Sequence, residues 1–169
     1  MMSGDVYQLK GSPIEVVAQE FLSMAVSATP AEEFGPGELE VNRQVHQDED
    51  MPERWLVLLT VHIKGEEVDD ALPPPYTGVL VARGIYDIHE AFKGDAERLI
   101  RITGASMLYG AIREMLANYT SRGPNDIVYL PSISFYEDVE TPKQISQPVK
   151  KKVAAKKTKP AKKKGVKKK

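Results

Sequence analysis

The sequence of 169 residues contains no cysteine. That absence removes disulfide frameworks, thiolate zinc sites and thiol nucleophiles together, and it agrees with a reducing compartment. No apolar run approaches the roughly 18 residues that a membrane-spanning helix needs, and the first residues carry neither a basic flank nor an apolar secretory core. A soluble, cytoplasmic protein is expected. Enzyme signatures are missing as well. No phosphate-binding glycine loop or dinucleotide-binding glycine pattern follows a strand, and His46, His62 and His89 lack metal-ligand spacing. Asp87-Ile88-His89-Glu90 sets carboxylates beside an imidazole, but no nucleophile or phosphate cradle accompanies them. The acidic runs Asp48-Glu49-Asp50 and Glu66-Glu67-Val68-Asp69-Asp70 lack the alternating oxygen ligands and fixed glycine of a calcium loop. Asn118-Tyr119-Thr120 matches a glycosylation acceptor but falls inside a helical pattern of a chain expected to stay unexported. The expectation is a non-enzyme without metal or cofactor.

Acid is also absent from one end of the chain. Residues 143–169 hold 13 Lys and no Asp or Glu, whereas residues 1–142 hold 24 Asp+Glu against 10 Lys+Arg. An acidic body therefore carries a basic tail. Without aromatics and with few large aliphatics, residues 141–169 cannot offset the entropy of ordering and are expected to be disordered. Such a tail suits nucleic acid or anionic lipid through counterion release, or folds back on its own acidic body. No base-reading residues accompany the lysines, so any nucleic-acid contact is expected to be sequence-independent.

Hydrophobic periodicity divides the body into strands followed by a helix. Residues 1–30 follow neither period throughout; a helical turn and then a strand near Phe21 to Ser27 is the expectation, with this segment joining the sheet. Glu38 to Gln47 alternates, with Leu39, Val41 and Val45 on one side, and Arg43 interrupts that apolar row. Arg54 to Lys64 places Trp55, Val57, Leu59, Val61 and Ile63 on one face. A third strand runs from Tyr76 to about Tyr86, with Gly84 suggesting a bulge or kink. Short connections favour antiparallel pairing.

From Asp95 to Thr120 the period changes. Ile102, Ala105, Leu108, Ile112, Met115, Leu116 and Tyr119 recur at steps of three or four, the stripe of an amphipathic helix with Asp95 as N-cap. Gly104 and Gly110 inside this pattern suggest a kink near Gly104 or a close helix contact at Gly110. Ser121-Arg122-Gly123-Pro124 ends the helix, with Gly123 suited to a left-handed closing residue. Ile127 to Tyr136, interrupted by Pro131, is expected to be an extended segment packed on the sheet or helix. The domain spanning residues 31–140 is therefore expected to be α+β, a helix on one face of an antiparallel sheet.

Gly84-Ile85-Tyr86-Asp87-Ile88, the helical Leu108-Tyr109-Gly110-Ala111-Ile112-Arg113-Glu114, the turn Ser121-Arg122-Gly123, and Leu130-Pro131 with Phe135 resemble, in order and spacing, the SecB family of protein-export chaperones. The resemblance is strongest from Gly78 to Tyr136. It implies a four-stranded antiparallel sheet with a long helix, assembled as a homotetramer, a dimer of dimers. It implies a holdase that needs no ATP, binds unfolded preproteins in apolar grooves and passes them to the SecA motor. Related SecB-like chaperones instead protect the antitoxin of a toxin-antitoxin pair. Under this resemblance Tyr109, Met115, Leu116, Tyr119, Tyr129, Ile133, Phe135 and Tyr136 are the expected groove residues, since Met-rich apolar surfaces repack around many sequences. Arg113 and Glu114 are expected to pair across the helix or an interface. Glu66, Glu67, Asp69 and Asp70 are the expected acidic docking residues for a basic partner segment. Family members usually continue into another helix after the extended segment. Here Glu137 to Glu140 leads instead into Pro142 and the lysines.

Overall fold

The computed structural model describes residues 11–68 and 70–136, and the backbone of 143–145. Four long strands form one antiparallel sheet: β1 (Ile14–Ala28), β2 (Gly37–Gln47), β3 (Arg54–Gly65) and β4 (Tyr76–Ile88). A short strand, β5 (Lys143–Ile145), pairs antiparallel on the outer edge of β2, giving the order β1-β4-β3-β2-β5. One helical rod follows β4, made of α1 (Ala96–Leu99), a π-helical turn (Ile100–Gly104) and α2 (Ala105–Thr120). This is the α+β arrangement that the periodicities predict.

The central strands follow the hydrophobic pattern closely. Trp55, Val57, Leu59, Val61 and Ile63 of β3 are buried beside Leu80, Ala82 and Tyr86 of β4, and Leu108, Ile112 and Leu116 of α2 close over them. The β3–β4 register runs without a break from Arg54–Asp87 to Ile63–Gly78. Gly84 thus makes no bulge there. A side chain at Gly84 would lie 2.4 Å from the ring of Tyr86, which folds back over it, and the Tyr86 hydroxyl donates to the Gly104 carbonyl at 2.9 Å. Gly84 and Gly104 are thus joined through one tyrosine, and the π turn ends at Gly104.

The helix starts as expected, with Asp95 Oδ1 accepting from the Arg98 amide at 2.9 Å. Its end is built differently. Gly123 does not adopt a positive φ; instead a Cβ there would fall 2.0 Å from the Tyr76 hydroxyl, so this glycine lets the tyrosine approach. Gly110 faces open space rather than a close helix contact.

The N-terminal segment departs most from its expectation, because β1 is a single strand of 15 residues that begins at Ile14, well before Phe21, with no helical turn among the described residues ahead of it. Two register shifts against β4, between Val16 and Ala18 and between Phe21 and Ser23, leave Val17 and Leu22 as extra residues. Each bulge flips the alternation of faces, so no single period runs through the segment.

Two expected outcomes follow. Gly78 has φ 149°, and a Cβ would sit 2.0 Å from the Ala25 carbonyl oxygen. Gly78→Ala should cost about 1–3 kcal/mol, read as a lower midpoint in denaturant at unchanged slope; an unchanged midpoint would contradict the close β1–β4 approach. Arg54 and Asp87, directly opposed on β3 and β4, form two hydrogen bonds of 2.8 Å, which hold the Asp87 carboxyl below its usual range. A carboxyl depressed on folding stabilises the fold above its unfolded pKa of about 3.9, and that contribution is lost as pH falls through the lower folded value. Thermal melts of Asp87→Asn should therefore depend less on pH below about 4 than those of the parent.

Candidate peptide-binding surface

The single helical rod uses its sides unequally. Leu108, Ile112 and Leu116 point into the sheet and are fully buried. On one flank the extended segment 127–136 is clasped to the rod. The Tyr109 hydroxyl donates to the Pro131 carbonyl at 2.8 Å, Arg113 Nε donates to the Leu130 carbonyl at 3.1 Å, and the rings of Tyr109 and Phe135 meet edge to face with centroids 5.9 Å apart. Burial pushes the Tyr109 phenol up to about 12, so it remains a neutral donor in this clasp. From the sheet, Arg43 reaches the same place: Nη1 donates to the Arg101 carbonyl at 2.8 Å and to the Phe135 carbonyl at 3.3 Å, and the guanidinium stacks over the Phe135 ring. The charge that interrupts the apolar row of β2 is what fastens the segment to it.

No corresponding segment covers the other flank among the described residues. Met107, Ala111, Met115 and Tyr119 recur there at four-residue spacing, one side of a helix. The Tyr119 hydroxyl donates to the Val26 carbonyl at 3.1 Å, so this flank turns toward β1. Met107, Met115 and Tyr119 are 38%, 37% and 43% exposed. Beside them β1 exposes Val16 and Met24, whose partners Tyr86 and Leu80 place them on the helix side of the sheet, and Val17 and Leu22 at its two bulges. β1 is also an edge strand, pairing only with β4 among the described residues. Its outer row of backbone donors and acceptors lies next to this apolar surface, an arrangement that accepts an added extended strand.

At the C-terminal end of α2 the surface deepens into a cleft of about 380 Å³. Ala28 and the buried Tyr76 line its base, Met115, Asn118 and Tyr119 its helical wall, and Arg122, Gly123 and Pro124 its end. The Tyr76 hydroxyl accepts from the Asn125 amide at 3.3 Å and lies 3.3 Å from the Thr120 carbonyl, which fixes the turn after α2 against the sheet. The cleft is mostly apolar, with one amide and one guanidinium in its lining. It suits an extended peptide with an apolar side chain inserted and its backbone or a carboxylate near Arg122.

Of the eight groove residues expected from sequence, Met115 and Tyr119 meet in this cleft. Leu116 is wholly buried, Tyr109 and Phe135 are buried in the clasp, and Ile133 is partly buried against the core. These four stabilise the chain itself, and a ligand cannot reach Leu116 in this fold. Tyr129 and Tyr136 are exposed on the extended segment, where Arg98 stacks on Tyr136 and donates to its hydroxyl at 3.0 Å. Arg113 pairs with the Leu130 carbonyl rather than with Glu114. Glu67 and Asp70 are exposed and Glu66 is half-buried in the loop after β3; Asp69 lies outside the described residues. Ala28, Tyr76, Asn118, Arg122, Pro124 and the β1 residues were missed. The signal for the helical wall was present, because 115, 118 and 119 share one helix face. The buried stripe of 108, 112 and 116 masked it.

Among the described residues no helix is long and apolar enough to cross a membrane, and no three His, Asp or Glu side chains gather as a metal site would require. Comparison of the sequence with protein-family profiles and with curated proteins gave no match. Among solved structures, the fold is similar to the Mycobacterium tuberculosis Rv1957 SecB-like chaperone, solved in complex with a ChAD peptide from the Rv1956 HigA1 antitoxin. The TM-score is 0.57 at 20% identity, covering 72% of this chain and 91% of that one. The chain therefore has the SecB-like fold that its own motifs from Gly84 to Phe135 resemble.

Proposed function

We propose that this protein is an ATP-independent holdase that captures non-native polypeptide segments along the β1–α2 surface. The observation that carries the proposal is the run of exposed apolar side chains on β1 and on the Met107–Tyr119 flank of α2, bordered by a strand edge that is unpaired among the described residues. Backbone pairing along β1 is independent of client sequence, and flexible methionines adapt to varied side chains. A long unfolded client that engages several such surfaces gains from raised effective concentration. Assembly as a dimer of dimers, as the SecB resemblance implies, belongs to the proposal. Clients are unfolded preproteins kept competent for Sec-dependent export with SecA as receiver, or, as with the antitoxin peptide held by the mycobacterial neighbour, a segment of one dedicated antitoxin.

At one protomer per client chain, the protein should suppress light scattering when a chemically denatured client is diluted into buffer. Changing both Met107 and Met115 to Glu should weaken suppression at least several-fold. Stability should change by only about 0.5 kcal/mol or less per site, because both side chains are partly exposed. A failure of the parent protein to suppress aggregation while its assembly is intact would overturn the holdase proposal. Native mass measurement should find a tetramer; a monomer would overturn the assembly. Fluorescence anisotropy with a labelled preprotein segment and a labelled antitoxin segment separates the two client classes by the tighter binder.

A further inference from the structure

The apolar surface leaves the basic tail unused, and the tail begins at a defined place in the sheet. β5 lies on the outer edge of β2 with Lys143 opposite Leu39, Gln144 opposite Glu38 and Ile145 opposite Gly37. Because the pairing is antiparallel, the chain leaves β5 at the end of the sheet where β2 starts and β3 stops. Two loops lie side by side there, joined by the Gly35 amide donating to the Pro73 carbonyl and the Thr29 amide donating to the Pro75 carbonyl, each at 2.9 Å. They carry Glu32 and Glu33 on one loop and Glu66, Glu67 and Asp70 on the other. Lys64, at the adjoining end of β3, is bonded to Glu40 across the strands. Residues 146–169, which follow, contain 12 Lys and no acid.

We infer that the lysine-rich segment 146–169 docks on this acidic end of its own sheet, with β5 on the β2 edge as its anchor, and so competes with any other basic segment for the surface. The site is the strand edge that β5 already occupies; the flanking carboxylates select what lies beside it. Reach makes the inference specific. Lys150, Lys151 and Lys152 follow Ile145 by five to seven residues, about 17–25 Å of extended chain. The other acidic turn, Asp48-Glu49-Asp50, stands at the far end of β2, about 35 Å along a strand of 11 residues. The near acids are within range of that first lysine triplet and the far ones are not. Binding of this kind weakens steeply with salt. The inference is independent of the holdase proposal.

Zero-length carbodiimide cross-linking of the full chain at low salt tests it, with equal amounts of light and isotope-labelled chains mixed so that links within and between chains differ in mass. Lys150–Lys152 should link within one chain to Glu32, Glu33, Glu66, Glu67 or Asp70. Links spread equally to Asp48, Glu49 and Asp50, links only between chains, or no links would each overturn the inference. As a second measurement, a full-length variant with the 12 lysines of 146–169 changed to Gln should bind an added synthetic peptide of residues 146–169 at least about tenfold tighter than the parent does. Equal binding would mean that the parent's surface is open, and would overturn the inference too.

Discussion

One helical rod cannot cover a sheet of four long strands. With strands about 4.8 Å apart and a helix about 10–12 Å across with its side chains, a rod shields roughly two strands. Here it lies over β3 and β4, whose inward faces are almost fully buried. That leaves two flanks, and the sequence fills one. Segment 127–136 packs beside α2 over the β2 side, held by Tyr109, Arg113 and Arg43. On the β1 side, the row Met107, Ala111, Met115 and Tyr119 faces a strand that no described segment covers. The exposed apolar surface follows from this asymmetry.

The devices that hold the asymmetry are local. Tyr86 lies over Gly84 and bonds the carbonyl of Gly104, tying β4 to the π turn in the rod. Tyr76 fits against Gly123 and fixes the turn after α2 at the base of the cleft. In both cases a missing Cβ admits an aromatic ring, and the ring's hydroxyl bonds a main-chain group of the helical layer or its closing turn. Arg43 performs the corresponding task for the extended segment, since its guanidinium can satisfy two carbonyls and stack on Phe135 together.

Much of this was legible in the sequence. β2, β3 and β4 could be placed because apolar residues alternate along their inward rows, with Arg43 the one charged exception, and the helix because Leu108, Ile112 and Leu116 recur at its period. β1 was not, because its two bulges reverse the alternation twice within 15 residues. The roles of Gly84 and Gly123 differ from expectation for a related reason: a glycine required by the ring of a tyrosine, Tyr86 or Tyr76, looks in sequence like one required by its own backbone. The candidate surface was half legible. A helical stripe marks apolar positions without saying which side the sheet takes, so Leu116 and Met115, adjacent in sequence, end respectively in the core and on the surface. The SecB-like motifs pointed to the fold but not to the flank left open.

The account stands on the claim that the open flank and the β1 edge are where foreign extended chain is held. Hydrogen–deuterium exchange with and without a soluble polypeptide that cannot fold tests this most directly. The account predicts slowed exchange in β1 and in residues 115–123 when the polypeptide is present, with the amides of β3 unchanged. Binding that leaves β1 and residues 115–123 unprotected while slowing exchange elsewhere would contradict it.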